Sequence, residues 1–352
     1  MIAVVLGGAA VLVALAALAY RRLRQHRVAR TLTLDTSTGI AESRYVRIGG
    51  VDQWIQIRGV DRTNPILLVL AGSGLTTEPF TPSLRAWEQH FTVVLWDRRD
   101  VGRTRGRNGK AGYGTWTFDR LADDGVEVAE FACRHLGQDK VVLVGHSQGS
   151  IVGVTMARRR PDLLHAYVGT GQITDMARNE PLTHRMAVDR ARAAGNRKAL
   201  RALEKLVPPY PDARTWITKI RWSMATDPEH RSWRREAFAA VLSWPAYTLA
   251  DVRRSALGAL FLPPLLFAGT MSCTPETLGT RFEVPVFLLH GDTDLYTPPS
   301  LAEEYLAAVD APTKEFVRLP DVGHLSLLTR PDPFLAELLA RVHPLTTTPP
   351  AA

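Results

Sequence analysis

The sequence predicts an α/β protein, with a mostly parallel sheet, helices on both faces and a helical insertion folded over it. Three observations carry this reading. Short continuous apolar runs recur along the chain, as expected of strands buried on both faces. Segments with helical spacing separate them, and an alternation of β and α in this order argues for a parallel sheet. One long stretch, between Thr170 and Phe282, breaks the alternation and reads as an addition to the sheet.

Taken in order, the chain opens with IAVVLGGAAVLVALAALAY from Ile2 to Tyr20, followed by RRLRQHRVAR. As a helix rising about 1.5 Å per residue, that run nearly covers a hydrocarbon core of ~30 Å. The positive charges follow the apolar run, whereas a secretory signal places them before it. The asymmetry predicts a single-pass transmembrane anchor over residues 1–20, with the following domain on the cytoplasmic face. The competing reading is a cleaved signal, with Ala17-Leu18-Ala19 as the cleavage site. A polar juxtamembrane linker over 21–42 completes this part.

A first core segment is expected over 43–170. Val51 to Gly59 (VDQWIQIRG) alternates like a half-buried strand, and Pro65 to Leu70 and Phe91 to Trp96 read as fully buried ones. Phe118 to Leu136 has helical spacing, with Leu121, Val128, Phe131, Ala132 and Leu136 on one side and Gly137 as its stop. Lys140 to Val144 is the next strand, Ile151 to Arg160 the next helix, and Ala166 to Val168 a short strand. A helical cap is expected over 171–282, with helix-like runs at 183–206, 212–225 and 233–242. It holds Trp216, Trp222, Trp233 and Trp244, which either wall an apolar pocket or fill the cap's own core. The second core segment, 283–344, supplies strands at Pro285 to Leu289 and Glu315 to Leu319. It also supplies helices near Leu301 to Val309 and from Pro333 to Val342. Residues 345–352, ending TTTPPAA, read as a disordered tail.

The bulk figures exclude some functions. The chain has 352 residues, 45% hydrophobic and 22% charged, enough for a globular core around a deep site. Its net charge is +8, but Arg21, Arg22, Arg24, Arg27 and Arg30 account for five of these, which leaves +3 for the remainder. Basicity gathered beside one apolar segment points to lipid and argues against nucleic acid. Cys133 and Cys273 lie far apart, with no CxxC spacing for a disulfide framework or a structural zinc site. No metal is expected.

Gly145-His146-Ser147-Gln148-Gly149 is a GxSxG sequence with an apolar strand running into it and a helix out of it. That is the setting of a nucleophile elbow, whose tight turn projects the Ser147 hydroxyl clear of the sheet. A serine hydroxyl needs a base to take its proton, and the base needs a carboxylate to orient it. His324, in the loop Asp321-Val322-Gly323-His324, is the candidate base. His146, His290 and His343 are weaker candidates by position. For the acid, Asp292 and Asp294 in HGDTDLYTP (290–298) compete, while Asp321 lies too close in sequence to His324. All these loops follow strands at the carboxyl edge, where parallel sheets place ligands. Oxyanion donors are expected from the Gln148 amide and from the loop Ala71-Gly72-Ser73-Gly74-Leu75.

With these residues in view, the chain after residue 43 resembles the α/β hydrolases similar to proline iminopeptidases. LAGSGL (70–75) resembles that family's oxyanion segment and maps Gly72 to the donor position. FTVVLWDRRDVGRT (91–104) resembles its DQRGxGRS region, GHSQGS its elbow, and DVGHLSLLTRPDPFL its histidine segment. HGDTDLYTP resembles its acid segment and selects Asp294. The resemblance implies the α/β-hydrolase fold with an eight-stranded core and a helical cap, and no cofactor. It also implies cleavage of an N-terminal residue, often proline, or of a simpler ester or amide. If the cap holds a free amino terminus, Glu180 is the candidate carboxylate, with Glu204 behind it. Leu70, Ser73, Asp100 and Gln148 depart from the pattern, which changes the entrance and the wall near the leaving group.

The reading is therefore a serine hydrolase working through an acyl-enzyme on a small-molecule or short-peptide substrate. It is taken as an aminopeptidase of proline iminopeptidase type. The alternatives are an esterase or lipase on apolar acyl esters, and a non-catalytic binding protein that keeps the fold.

Overall fold

The computed structural model describes residues 2–34, 36–99, 101–109, 112, 114, 116–258 and 266–347. Eight strands form one sheet: β1 (Ile40–Ile48), β2 (Val51–Gly59), β3 (Ile66–Leu70), β4 (Thr92–Asp97), β5 (Val141–His146), β6 (Leu164–Thr170), β7 (Val286–Gly291) and β8 (Lys314–Leu319). Their spatial order is β1-β2-β4-β3-β5-β6-β7-β8. β2 runs antiparallel to both β1 and β4, and every other pairing is parallel. The α/β-hydrolase fold with an eight-stranded, mostly parallel sheet is thus the architecture of the chain.

Strand chemistry accounts for the layering. Every residue of β3, β4, β5 and β7 is buried, and successive side chains point to opposite faces. In β3, Ile66, Leu68 and Leu70 join one core while Leu67 and Val69 join the other. In β5, Val141 and Leu143 are divided from Val142 and Val144 in the same way. The first core lies under the helices that follow β4 and β5; the second lies under Trp87, Phe91 and the C-terminal helices.

The helices in chain order begin with α1 (Ile2–Thr31), α2 (Gly102–Asn108), α3 (Phe118–Leu136) and α4 (Gln148–Arg159). Between β6 and β7 the described residues form a helical insertion: α5 (Met176–Ala193), α6 (Arg197–Leu203), α7 (Ala213–Thr226), α8 (Pro228–Ser243), α9 (Leu249–Gly258), α10 (Phe267–Met271) and α11 (Pro275–Leu278). After it come α12 (Pro299–Ala308), α13 (Ser326–Thr329), α14 (Pro331–Glu337) and α15 (Pro344–Thr347). Local chemistry sets the ends. Thr117 caps α3 by accepting from Arg120 N at 3.1 Å, and Gly137 closes it in the left-handed region. Asp175, Asp212 and Asp227 cap α5, α7 and α8 in the same manner. Of the insertion's tryptophans, Trp216 and Trp244 are buried packing groups, and Trp233 stacks on Phe80 at 5.8 Å between ring centroids.

Three expectations are corrected here. Among the described residues no helix is long and apolar enough to cross a membrane, so the single-pass anchor over 1–20 and the membrane placement built on it are withdrawn. α1 does not end with the apolar run. It continues through the arginines to Thr31, and its basic half docks on the insertion. Arg21 donates to the carbonyls of Leu242 (3.1 Å) and Tyr247 (2.5 Å), and Gln25 to that of Trp244 (2.9 Å). Leu32 joins Trp244, Tyr247 and Val252 in a small cluster. The connector over 21–42 is accordingly helix as far as Thr31 and strand from Ile40. In the tail, residues 344–347 are helical; residues 348–352 lie outside the described residues, as does Asp100.

Candidate active site

The site is built where β5 turns into α4. Ser147 stands at φ 54° and ψ −126°, a conformation that costs a non-glycine residue roughly 1–3 kcal/mol. The surroundings impose it: Ser147 N donates to Thr170 O at 3.1 Å, and Ser150 Oγ donates to Ser147 O at 2.6 Å. Gly149 is required because a Cβ there would overlap the Leu70 carbonyl at the end of β3. From Val141 to Ser150 every residue is buried except Ser147, so the turn presents one hydroxyl.

Gln148 opens α4, where main-chain N–H groups have no intrahelical acceptor. Its side chain is occupied elsewhere, donating to Thr270 Oγ1 of α10 at 3.0 Å. Gly72 lies directly against the Ser147 turn: a Cβ on Gly72 would sit 3.0 Å from Ser147 Cβ. The loop after β3 can approach Ser147 this closely only as main chain.

Asp294 follows β7 and is buried at 1% exposure. Its Oδ1 accepts from Tyr296 N (2.7 Å) and Thr297 N (2.9 Å), and its Oδ2 from Thr297 Oγ1 (2.8 Å). The same Oδ2 lies 2.8 Å from His324 Nδ1. Burial alone would raise this carboxyl, but the His324 charge and these hydrogen bonds outweigh it and hold Asp294 down at about 2. His324 is the complementary case. Burial would lower it, but the Asp294 carboxylate, helped by Glu229 and Asp227, holds it above its usual value. Gly171, at the end of β6, packs against the His324 ring, and Thr170 beside it receives the Ser147 amide.

The other sequence candidates have different places. His146 faces away from proton transfer to Ser147: its Nε2 donates to the His324 carbonyl at 2.9 Å, and burial keeps it neutral, down at about 3. It anchors the backbone of His324, a role its position in the GxSxG motif does not reveal. His290 is fully buried and pushed down to about 4 by burial. Asp292 accepts weakly from Val322 N at 3.4 Å, and His343 packs on Phe91.

Glu180 does not offer an open carboxylate, and its expected contact with a substrate amine does not fit this arrangement. Its Oε2 accepts from the buried Lys219 Nζ at 2.8 Å, and its Oε1 from Trp216 Nε1 (3.1 Å) and Asn179 Nδ2 (3.3 Å). Glu204 is exposed at the end of α6. Sequence reasoning missed Tyr296 and Thr297, although both lie inside HGDTDLYTP. It also missed Asp227, Glu229 and His230 at the start of α8, which carry no motif.

If His324 is the base, as the sequence leads one to expect, it must be neutral to act. The acid limb of kcat/KM is therefore expected to titrate above the ordinary imidazole value of about 6.5, with activity rising as pH rises through it. A pH–rate profile on an aryl ester checks this; a midpoint below that value contradicts it.

Comparison with known proteins fits this geometry. Residues 65–331 match the family model described as the alpha/beta hydrolase fold. The chain belongs to the α/β-hydrolase family. It is a hydrolase, and its similarity to the probable aminopeptidase YbaC of Bacillus subtilis is 26% identity over 316 residues, 86% of this chain and 96% of that protein. A solved bacterial membrane phospholipase A matches with a TM-score of 0.63 at 18% identity, covering 99% of this chain and all of that one. The esterase RhEst1 from Rhodococcus sp. ECU1013 matches with a TM-score of 0.54 at 17% identity over 88% of this chain and 99% of that one. These two likenesses concern the fold alone.

Proposed function

We propose that this α/β hydrolase works through an acyl-enzyme on Ser147. The observations that support it are the 2.8 Å bond between His324 Nδ1 and Asp294 Oδ2 and a serine held at positive φ, whose amide bonds Thr170, next to the Gly171 that packs on the His324 ring. In this reading Ser147 Oγ attacks the substrate carbonyl and its proton passes to His324 Nε2. The imidazolium then returns that proton to the leaving group as the C–N or C–O bond breaks. Asp294 keeps the Nδ1 proton in place and stabilises the charge. The amides of Gly72 and Gln148 receive the oxyanion, and water attacks the acyl-enzyme in the second half-reaction.

The finer reading is an aminopeptidase of proline iminopeptidase type, supported by the likeness to a probable aminopeptidase over 86% of this chain. The commitment of both Glu180 oxygens favours a second reading, hydrolysis of esters or amides with no free amine. The full chain is to be assayed on a prolyl arylamide, its N-acetylated twin and a short-chain aryl ester. Strong preference for the free amine is expected of the aminopeptidase. Ester turnover without that preference replaces it with the esterase, and no turnover of any of the three contradicts both.

A further inference from the structure

One turn of the insertion grips both loops of the proposed acid–base pair. Asp227, between α7 and α8, accepts from Tyr296 OH at 3.3 Å, and Tyr296 belongs to the loop whose amides hold Asp294. Two residues on, Glu229 Oε1 accepts from Thr329 Oγ1 at 2.8 Å, just past His324, and its carboxylate lies against the Gly323 backbone, just before it. Asp227 also caps the turn itself, accepting from Glu229 N at 3.0 Å. The Tyr296 ring completes the contact, 5.1 Å from the His324 ring between centroids.

From this convergence we propose that Glu229 is a positioning residue for His324, through which docking of the insertion orients the base. The inference rests on the Ser147–His324 reading above. The charged and titratable groups around His324 are Asp294 and Tyr296 from the acid loop, and His146 and His290 from the ends of β5 and β7. The insertion adds Asp227, Glu229 and His230. Of the insertion's groups, Glu229 joins a negative charge to direct contact with the loop that carries the base.

The test is the pH dependence of the rate at which a fluorophosphonate labels the full chain, which needs no natural substrate. Glu229→Gln removes the charge at nearly constant size. Its labelling is expected to be slower on the plateau, with the midpoint moved down by roughly half a pH unit, because a nearby negative charge favours the imidazolium. Thr329→Val removes one anchoring hydrogen bond and keeps the charge; slower labelling at an unchanged midpoint is expected. Profiles of both variants that superimpose on the wild type overturn the proposal. A wild-type chain that takes no label at Ser147 overturns the acyl-enzyme reading instead, and the positioning role with it.

Discussion

Ser147→Ala is expected to lower ester or amide turnover by at least roughly 10⁴-fold while leaving the fold intact. The fold should survive because the turn is imposed from outside the side chain. The Ser147 amide and carbonyl are held by Thr170 O and Ser150 Oγ, and Gly149 seats the turn on β3. Alanine keeps those contacts and loses only the hydroxyl. What remains is the contribution of oxyanion stabilisation and binding, which in comparable hydrolases is a small residue of the full rate. A variant with equal melting temperature and turnover within tenfold of wild type would remove Ser147 from the mechanism.

The largest expected effect on stability belongs to Asp124→Ala, at about 3–5 kcal/mol. Asp124 is fully buried on α3, where it accepts from Arg99 Nη2 at 2.8 Å and pairs with Arg99 Nε. It also accepts from Gln53 Nε2 at 2.8 Å, and Arg120 lies at 3.1 Å. Arg99 is itself buried and donates to the carbonyls of Gly49 and Gly112. The pair therefore joins β2, the loop after β4 and α3 at one point. Removing the carboxylate leaves a guanidinium in the interior without its counter-charge, which costs far more than a surface pair. Thermal unfolding is expected to fall by on the order of 10 °C. A change of a degree or two would mean that the guanidinium reaches solvent or another partner.

What the sequence made legible follows from how local the signals are. Strands buried on both faces announce themselves as apolar runs, so β3, β4, β5 and β7 were readable within a residue or two. β1 was not, because IAESRYVRI is an edge strand with mostly exposed or half-buried residues and reads as a polar connector. It becomes a strand only by pairing with β2 over its full length. The half-buried alternation expected of β2 also failed, since most of that strand is covered on both faces.

The site divides along the same line. Ser147, Asp294 and His324 each sit in a strand-to-loop context that short motifs describe. Their neighbours are fixed by contacts across long sequence separations. Glu180 looks like a free carboxylate until Lys219, on another helix, is folded onto it. The connector after the apolar start of α1 reads as a polar linker until Leu242, Trp244 and Tyr247 are found holding it as a helix. Asp227 and Glu229 carry no motif at all, and only the docking of α8 brings them to the loops of Asp294 and His324.

The most direct measurement is to react the full chain with a fluorophosphonate, determine the intact mass and map the modified peptide. One adduct per chain on the peptide holding Ser147, absent from Ser147→Ala, is the expected result. An adduct on any other residue, or none from a preparation that hydrolyses the aryl ester, would contradict a mechanism built on Ser147, His324 and Asp294.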